Sequence, residues 1–80
     1  MSVTYFVVVT FDRIDDGDLA AGEAKEATSA RAAERGAREL ALGHAGAVAF
    51  SRTGDPTTGE FEDAVILAQF GVVDFTALSV

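Results

Sequence analysis

The stretch Val3-Thr4-Tyr5-Phe6-Val7-Val8-Val9-Thr10-Phe11 constrains the fold more than any other part of the chain. Its β-branched and aromatic side chains favour extended backbone. Val3, Tyr5, Val7, Val9 and Phe11 alternate onto one face, while Phe6 and Val8 lie on the other between Thr4 and Thr10. A strand apolar on both faces needs cover on both. The chain has only 80 residues to supply it, no cysteine and a single histidine. A domain of that size buries about 60–65% of its unfolded surface, so its stability margin is thin. Neither a disulfide nor a Cys/His zinc site can supplement the core. Hydrophobic residues make up 49% of the chain, enough to argue against disorder. Residues 1–80 therefore read as one compact domain.

Asp12 to Asp18 reads as a loop, with Gly17 at its sharpest point. The Ala-rich stretch after it predicts a helix that starts near Asp18 or Gly22 and ends at Leu42, stopped by Gly43. Glu34 and Arg38, like Arg35 and Glu39, stand at i,i+4 spacing, where an ion pair is worth a few tenths of a kcal/mol. The uncharged arc of this helix holds Gly22, Ser29, Ala33, Gly36, Ala37 and Leu40. A mid-helix glycine such as Gly36 costs about 1 kcal/mol relative to alanine, which points to a helix lying tight against a sheet. Ala45–Thr53 predicts a second strand, Gly54–Gly59 a turn with Gly59 free to take positive φ, and Phe61–Gly71 a third strand. Val72–Val80 fits either an edge strand or a docked extension.

The order β-α-β-β implies an α+β fold, one helix packed on a three-stranded, mainly antiparallel sheet. In the preferred arrangement the first and third strands are neighbours and the sheet is wholly antiparallel. In the other, the first two strands are parallel neighbours through a right-handed crossover. One helix covers one face only, leaving Phe6 and Val8 to be explained. Homodimerisation through that open face, or through the edge of the first strand, is the expectation that follows.

The net charge is −7. Between Glu23 and Glu39 four acids balance four bases, so the acid lies outside the expected helix. Asp15, Asp16 and Asp18 occupy the first loop, and Asp55, Glu60, Glu62 and Asp63 surround the hairpin turn. Carboxylates on loops beside a rigid sheet can imitate spaced phosphates and occupy a Lys/Arg groove. These seven residues are the candidate partner-binding set. The same charge argues against direct binding of nucleic acid. Arg31, Arg35 and Arg38 are interleaved with Glu34 and Glu39 and read as a solvated, self-paired helix face.

Catalysis has little to work with. His44 follows Gly43, where an imidazole can cap terminal carbonyls, and no glycine-rich phosphate loop is present. The chain reads as a non-enzymatic protein with no catalytic residues and no cofactor. Asp12–Glu23 resembles an EF-hand calcium loop at Asp16, Gly17, Asp18 and Glu23. Ile14 breaks the pattern at its third position, and a strand precedes it instead of a helix. The reading is no metal, with calcium the alternative. The run Val3–Phe11 is too short to span a bilayer, and no signal-peptide pattern precedes it. A cytoplasmic, non-membrane protein is expected.

A small, acidic, cysteine-free α+β chain without a catalytic set resembles the phage-encoded anti-CRISPR proteins, particularly inhibitors of type I (Cascade) systems. That family has no shared motif, so no functional residue carries over by alignment. The resemblance implies a stoichiometric inhibitor in the host cytoplasm. It would bind a basic surface of a Cas protein, the Cascade backbone or large subunit, and block target DNA. The alternative is a self-associating structural or regulatory module, an antitoxin-like partner protein.

Overall fold

The sequence pattern of residues 3–11 is realised as β1, Val3–Arg13, in a computed structural model that describes residues 1–74. Five more strands and one helix follow among the described residues: β2 (Leu19–Ala21), β3 (Lys25–Ala27), α1 (Ala30–Ala41), β4 (Gly46–Asp55), β5 (Glu60–Phe61) and β6 (Val65–Gly71). All pairings are antiparallel. β1 lies between β4 on one side and β2 and β3 on the other, and β4 carries β5 and β6 on its far side. The fold is a small α+β unit with one helix on a curled antiparallel sheet. Six strands build that sheet, where three were expected.

The largest departure from expectation lies between residues 18 and 29. Instead of opening the helix, this stretch runs back along β1, with Phe11 opposite Ala21 and Val8 opposite Lys25. Gly22 continues the ladder through its N–H to the Thr10 carbonyl, 2.7 Å away. Alanine content favours a helix here, but the edge of β1 offers unpaired backbone groups whose satisfaction outweighs it. The helix starts only after Ser29, whose extended backbone (φ −157°) and hydroxyl, accepting from Ala32 N–H at 3.1 Å, form its N-cap. This return stroke also sets the sheet order. It reverses the chain before the helix, so β4 meets β1 antiparallel, with Val3 opposite Gly54 and Phe11 opposite Gly46. The first two long strands are thus antiparallel neighbours, in neither expected arrangement. β1 is central, which removes its edge as a route to dimers.

Each sheet face carries its own cluster. On the helix side, Val8, Ala33, Ala37, Ala47 and Ala49 are buried, with Phe6, Leu40, Leu67 and Phe70 packed around them. Phe6 and Val8 therefore face the helix, and the odd-numbered residues of β1 face away. On the far side, Val9, Phe11 and Val48 are buried beneath Leu19 and Val73. Val73 reaches them because the chain crosses Gly46: a Cβ there would overlap the Val72 carbonyl, while Val72 N–H bonds to the Ala45 carbonyl at 3.1 Å. Of the tail Val72–Val80, residues 75–80 lie outside the described residues. Gly36 is not at a tight contact, since a Cβ would meet only Val8 Cγ2 at 3.7 Å.

Candidate functional site

The register of the sheet decides whether the acidic segments meet. They do not. Asp15, Asp16 and Asp18 follow the end of β1, whereas the 56–59 turn closes β4 opposite the start of β1. An 11-residue strand separates the two groups, about 33 Å at the usual rise. The seven candidates therefore form two acidic poles at opposite ends of the sheet.

At the first pole the backbone turns tightly: Gly17, with φ +88°, donates to Ile14 O at 2.8 Å, and Ile14 N–H donates to Asp18 O at 2.9 Å. Arg13 Nη1 donates to Gly17 O at 3.0 Å, and Asp18 N–H donates to Asp16 Oδ1 at 3.1 Å. All three aspartates are exposed. Asp12 is turned elsewhere. Its Oδ2 lies 2.7 Å from His44 Nδ1, and its Oδ1 accepts from Ala45 N–H at 3.4 Å. The imidazole thus ties the helix exit to the end of β1 and does not cap carbonyls as expected. Among the described residues, no group of three or more His, Cys, Asp or Glu side chains could hold a metal ion.

At the second pole the four candidates divide. Asp55 is consumed by its own turn. Its Oδ1 accepts from Thr57 Oγ1 at 2.6 Å and Thr57 N–H at 2.8 Å, and its Oδ2 accepts from the Met1 ammonium at 3.2 Å. The Thr57 hydroxyl, then the Thr57 amide and the N-terminal ammonium, hold its pKa below the ordinary aspartate value. Glu60, Glu62 and Asp63 remain exposed.

The helix, shortened to Ala30–Ala41, carries three arginines against two glutamates and is net cationic, +1. Glu34–Arg38 and Arg35–Glu39 are not among the ion pairs within 4.0 Å of the described residues, which are Met1–Asp55 and His44–Asp12. Arg31, Glu34, Arg35 and Arg38 line a shallow groove of about 210 Å³. The arginine of the third turn is held, with the Arg38 guanidinium 5.8 Å from the Phe70 ring centroid.

A further group on the far sheet face lay outside the residues selected from sequence. Tyr5 is opposite Arg52, and Val7 is opposite Phe50. The Phe61 ring folds over Gly54, where a Cβ would overlap it. Phe61 stands 6.1 Å from the Tyr5 ring and 5.5 Å from the Arg52 guanidinium carbon, centroid distances in both cases. Arg52 Nε is buried without a hydrogen-bond partner among the described residues. An unsatisfied buried donor costs about 1–3 kcal/mol. Alternation placed Tyr5 and Val7 on one face, but only the register brings Arg52 and Phe61 to them.

No family model matches the chain, no curated protein matches it in sequence, and no solved structure matches its fold. None of the described helices is long and apolar enough to cross a membrane.

Proposed function

We propose that this protein is a non-enzymatic, stoichiometric inhibitor that engages a basic, nucleic-acid-binding surface of a partner through its acidic poles. The observation that carries this reading is the placement of Asp15, Asp16 and Asp18 at one end of the sheet and Glu60, Glu62 and Asp63 at the other, all exposed. Asp55 serves as the brace of its turn and not as a contact. A separation of about 33 Å means the poles do not form one continuous phosphate-like track; each meets its own cationic patch. The one histidine has a structural role in this reading, its Nδ1 lying 2.7 Å from Asp12 Oδ2 so that it ties the helix exit to the end of β1. The partner consistent with the anti-CRISPR resemblance is a Cas protein of a type I Cascade complex, in the host cytoplasm.

The test is target-DNA binding by purified Cascade complexes of type I systems, with and without stoichiometric protein. Inhibition is expected. Asp15→Lys with Asp16→Lys, or Glu60→Lys with Glu62→Lys, is expected to abolish it while circular dichroism stays unchanged. Full inhibition by both double variants would overturn the acidic-pole reading, and no inhibition by the wild-type chain would overturn the partner class.

A second reading, a self-associating, antitoxin-like module, draws on β6. This strand carries no charged residue, pairs only with β4 among the described strands, and leaves Val65 59% and Ile66 40% exposed. Such an edge is a template for pairing with another chain. A monomeric mass in light scattering at millimolar concentration would remove it.

A further inference from the structure

The far sheet face is closed at one end and open at the other. Leu19 and Val73 cover Val9, Phe11 and Val48. Beyond them Tyr5, Val7 and Phe50 are only partly buried, and Val3, Phe61 and Ile66 are 37–40% exposed. In the open half of this face, residues 3–7 of β1 and 50–54 of β4, Arg52 is the one charged side chain that alternation and register assign to it, Arg13 lying at the closed end opposite Leu19. A chain of net charge −7 therefore presents here an apolar patch with a cation at its centre and one acid, Glu26 opposite Val7, at its β3 margin. That cation is half prepared for a ligand: Phe61 holds its guanidinium, and its buried Nε has no acceptor among the described residues.

The size of the patch selects the occupant. Residues 3–7 span about 13 Å of strand, and β1, β4 and the β5/β6 row span about 10 Å across. That is far below the roughly 800 Å² per partner of a stable protein dimer. It matches one extended segment of four or five residues.

We propose that the open half of this face docks an extended apolar segment of a partner protein that carries one carboxylate, received by the Arg52 guanidinium. Apolar side chains of the segment pack on Tyr5, Val7, Phe50 and Phe61, and the carboxylate supplies the acceptor that Arg52 lacks. Charge-assisted Arg–carboxylate bonds are the strong members of their class, and the surrounding rings exclude competing water. The site uses no residue of the acidic poles, so failure of either assignment leaves the other standing.

The test is titration of the ¹⁵N-labelled full chain with the blocked peptide acetyl-VLVEV-amide and its Glu-to-Gln counterpart acetyl-VLVQV-amide. Saturable shifts confined to residues 3–7, 50–54 and 61 are expected, with the Glu peptide binding about tenfold more tightly. Arg52→Gln is expected to erase that preference while keeping the weaker apolar binding, and Arg52→Lys to retain part of it. If the Gln variant does not fold, the Lys variant and the wild-type peptide preference still decide. Absence of shifts, shifts elsewhere, equal affinity for the two peptides, or a preference that survives in Arg52→Gln would each overturn the proposal. So would nuclear Overhauser contacts from residues 75–80 to Tyr5 and Phe61 in the free protein, since the face would then already have its occupant.

Discussion

The two faces of the sheet solve the same packing problem with opposite materials. Beneath the helix the buried residues are Ala33, Ala37, Ala47, Ala49 and one larger side chain, Val8. On the far side they are Val9, Phe11 and Val48, with Phe11 and Val48 the largest fully buried side chains described. Small residues let a helix approach the sheet closely, and the helix itself then excludes water from that face. The far face has no helix, so it must use bulk: large side chains, closed over by Leu19 and Val73. Bulk covers only one end of β1, and the rest of the face stays open. The helix face is thus limited by space, and the far face by cover.

That contrast breaks most sharply at Phe11. Its side chain is fully buried on the face that depends on volume, so Phe11→Ala should cost about 3–5 kcal/mol. A domain of this size has roughly 4–12 kcal/mol in total, so urea unfolding should show a large fall in midpoint. A loss below 1 kcal/mol would mean that the far face is not a core at all.

The helix face should fail in the opposite sense, by overfilling. Ala37 is fully buried among other alanines. Ala37→Leu adds three carbons where the helix sits close, and about 1–3 kcal/mol of destabilisation is expected. An unchanged or raised midpoint would show that the helix lifts freely and that the spacing is not set by alanine.

Much of this fold is legible in the sequence where local chemistry and tertiary demand agree. The alternation of Val3–Phe11, the 56–59 turn with Gly59 at φ +78°, and the helix end near Leu42 all follow from local rules. Ala20–Ala27 misleads because its composition favours a helix, while the unpaired edge of β1, unseen from local pattern, makes it a strand. The assignment of faces fails for a related reason: alternation says which residues share a face, not which face receives the helix. The acidic candidates were correctly placed in loops and beside turns. Their division into two poles needed the β1–β4 register, and the diversion of Asp55 into its turn needed the positions of Thr57 and the amino terminus. Arg52 and Phe61 are far apart in pattern and adjacent only through Gly54.

Gly36 tests the claim that the helix face is limited by space at some positions and not at others. Sequence suggested that a glycine there admits close approach. A Cβ would in fact sit 3.7 Å from Val8 Cγ2, an ordinary contact. Gly36→Ala should therefore stabilise the protein by about 0.5–1 kcal/mol, through helix propensity and a less flexible unfolded chain. Thermal unfolding would register the change as a rise of a few degrees. A fall would mean that the helix lies closer to Val8 than the geometry indicates, and would extend the tight zone of Ala33 and Ala37 through Gly36.

The smallest expected effect concerns the open end of the far face, where Asp55 ties the hairpin turn to the amino terminus. Its folded-state pKa is lowered, chiefly by the Thr57 hydroxyl and amide. A lowered carboxylate contributes stability that is fully present above its unfolded pKa, about 3.9, and is lost as pH falls through the lower folded value. Asp55→Asn removes this contribution. The wild-type chain should thus melt slightly higher than the variant at pH 6, and the two curves should converge on acidification below about pH 3.9. Because the site is solvent-exposed, the gap should also shrink in high salt to the extent that the Met1 ammonium contributes. A gap that persists unchanged at low pH would assign the stabilisation to the shape of the turn and not to the charge of Asp55. The open end would then be held by backbone geometry alone, as the helix face is held by its alanines.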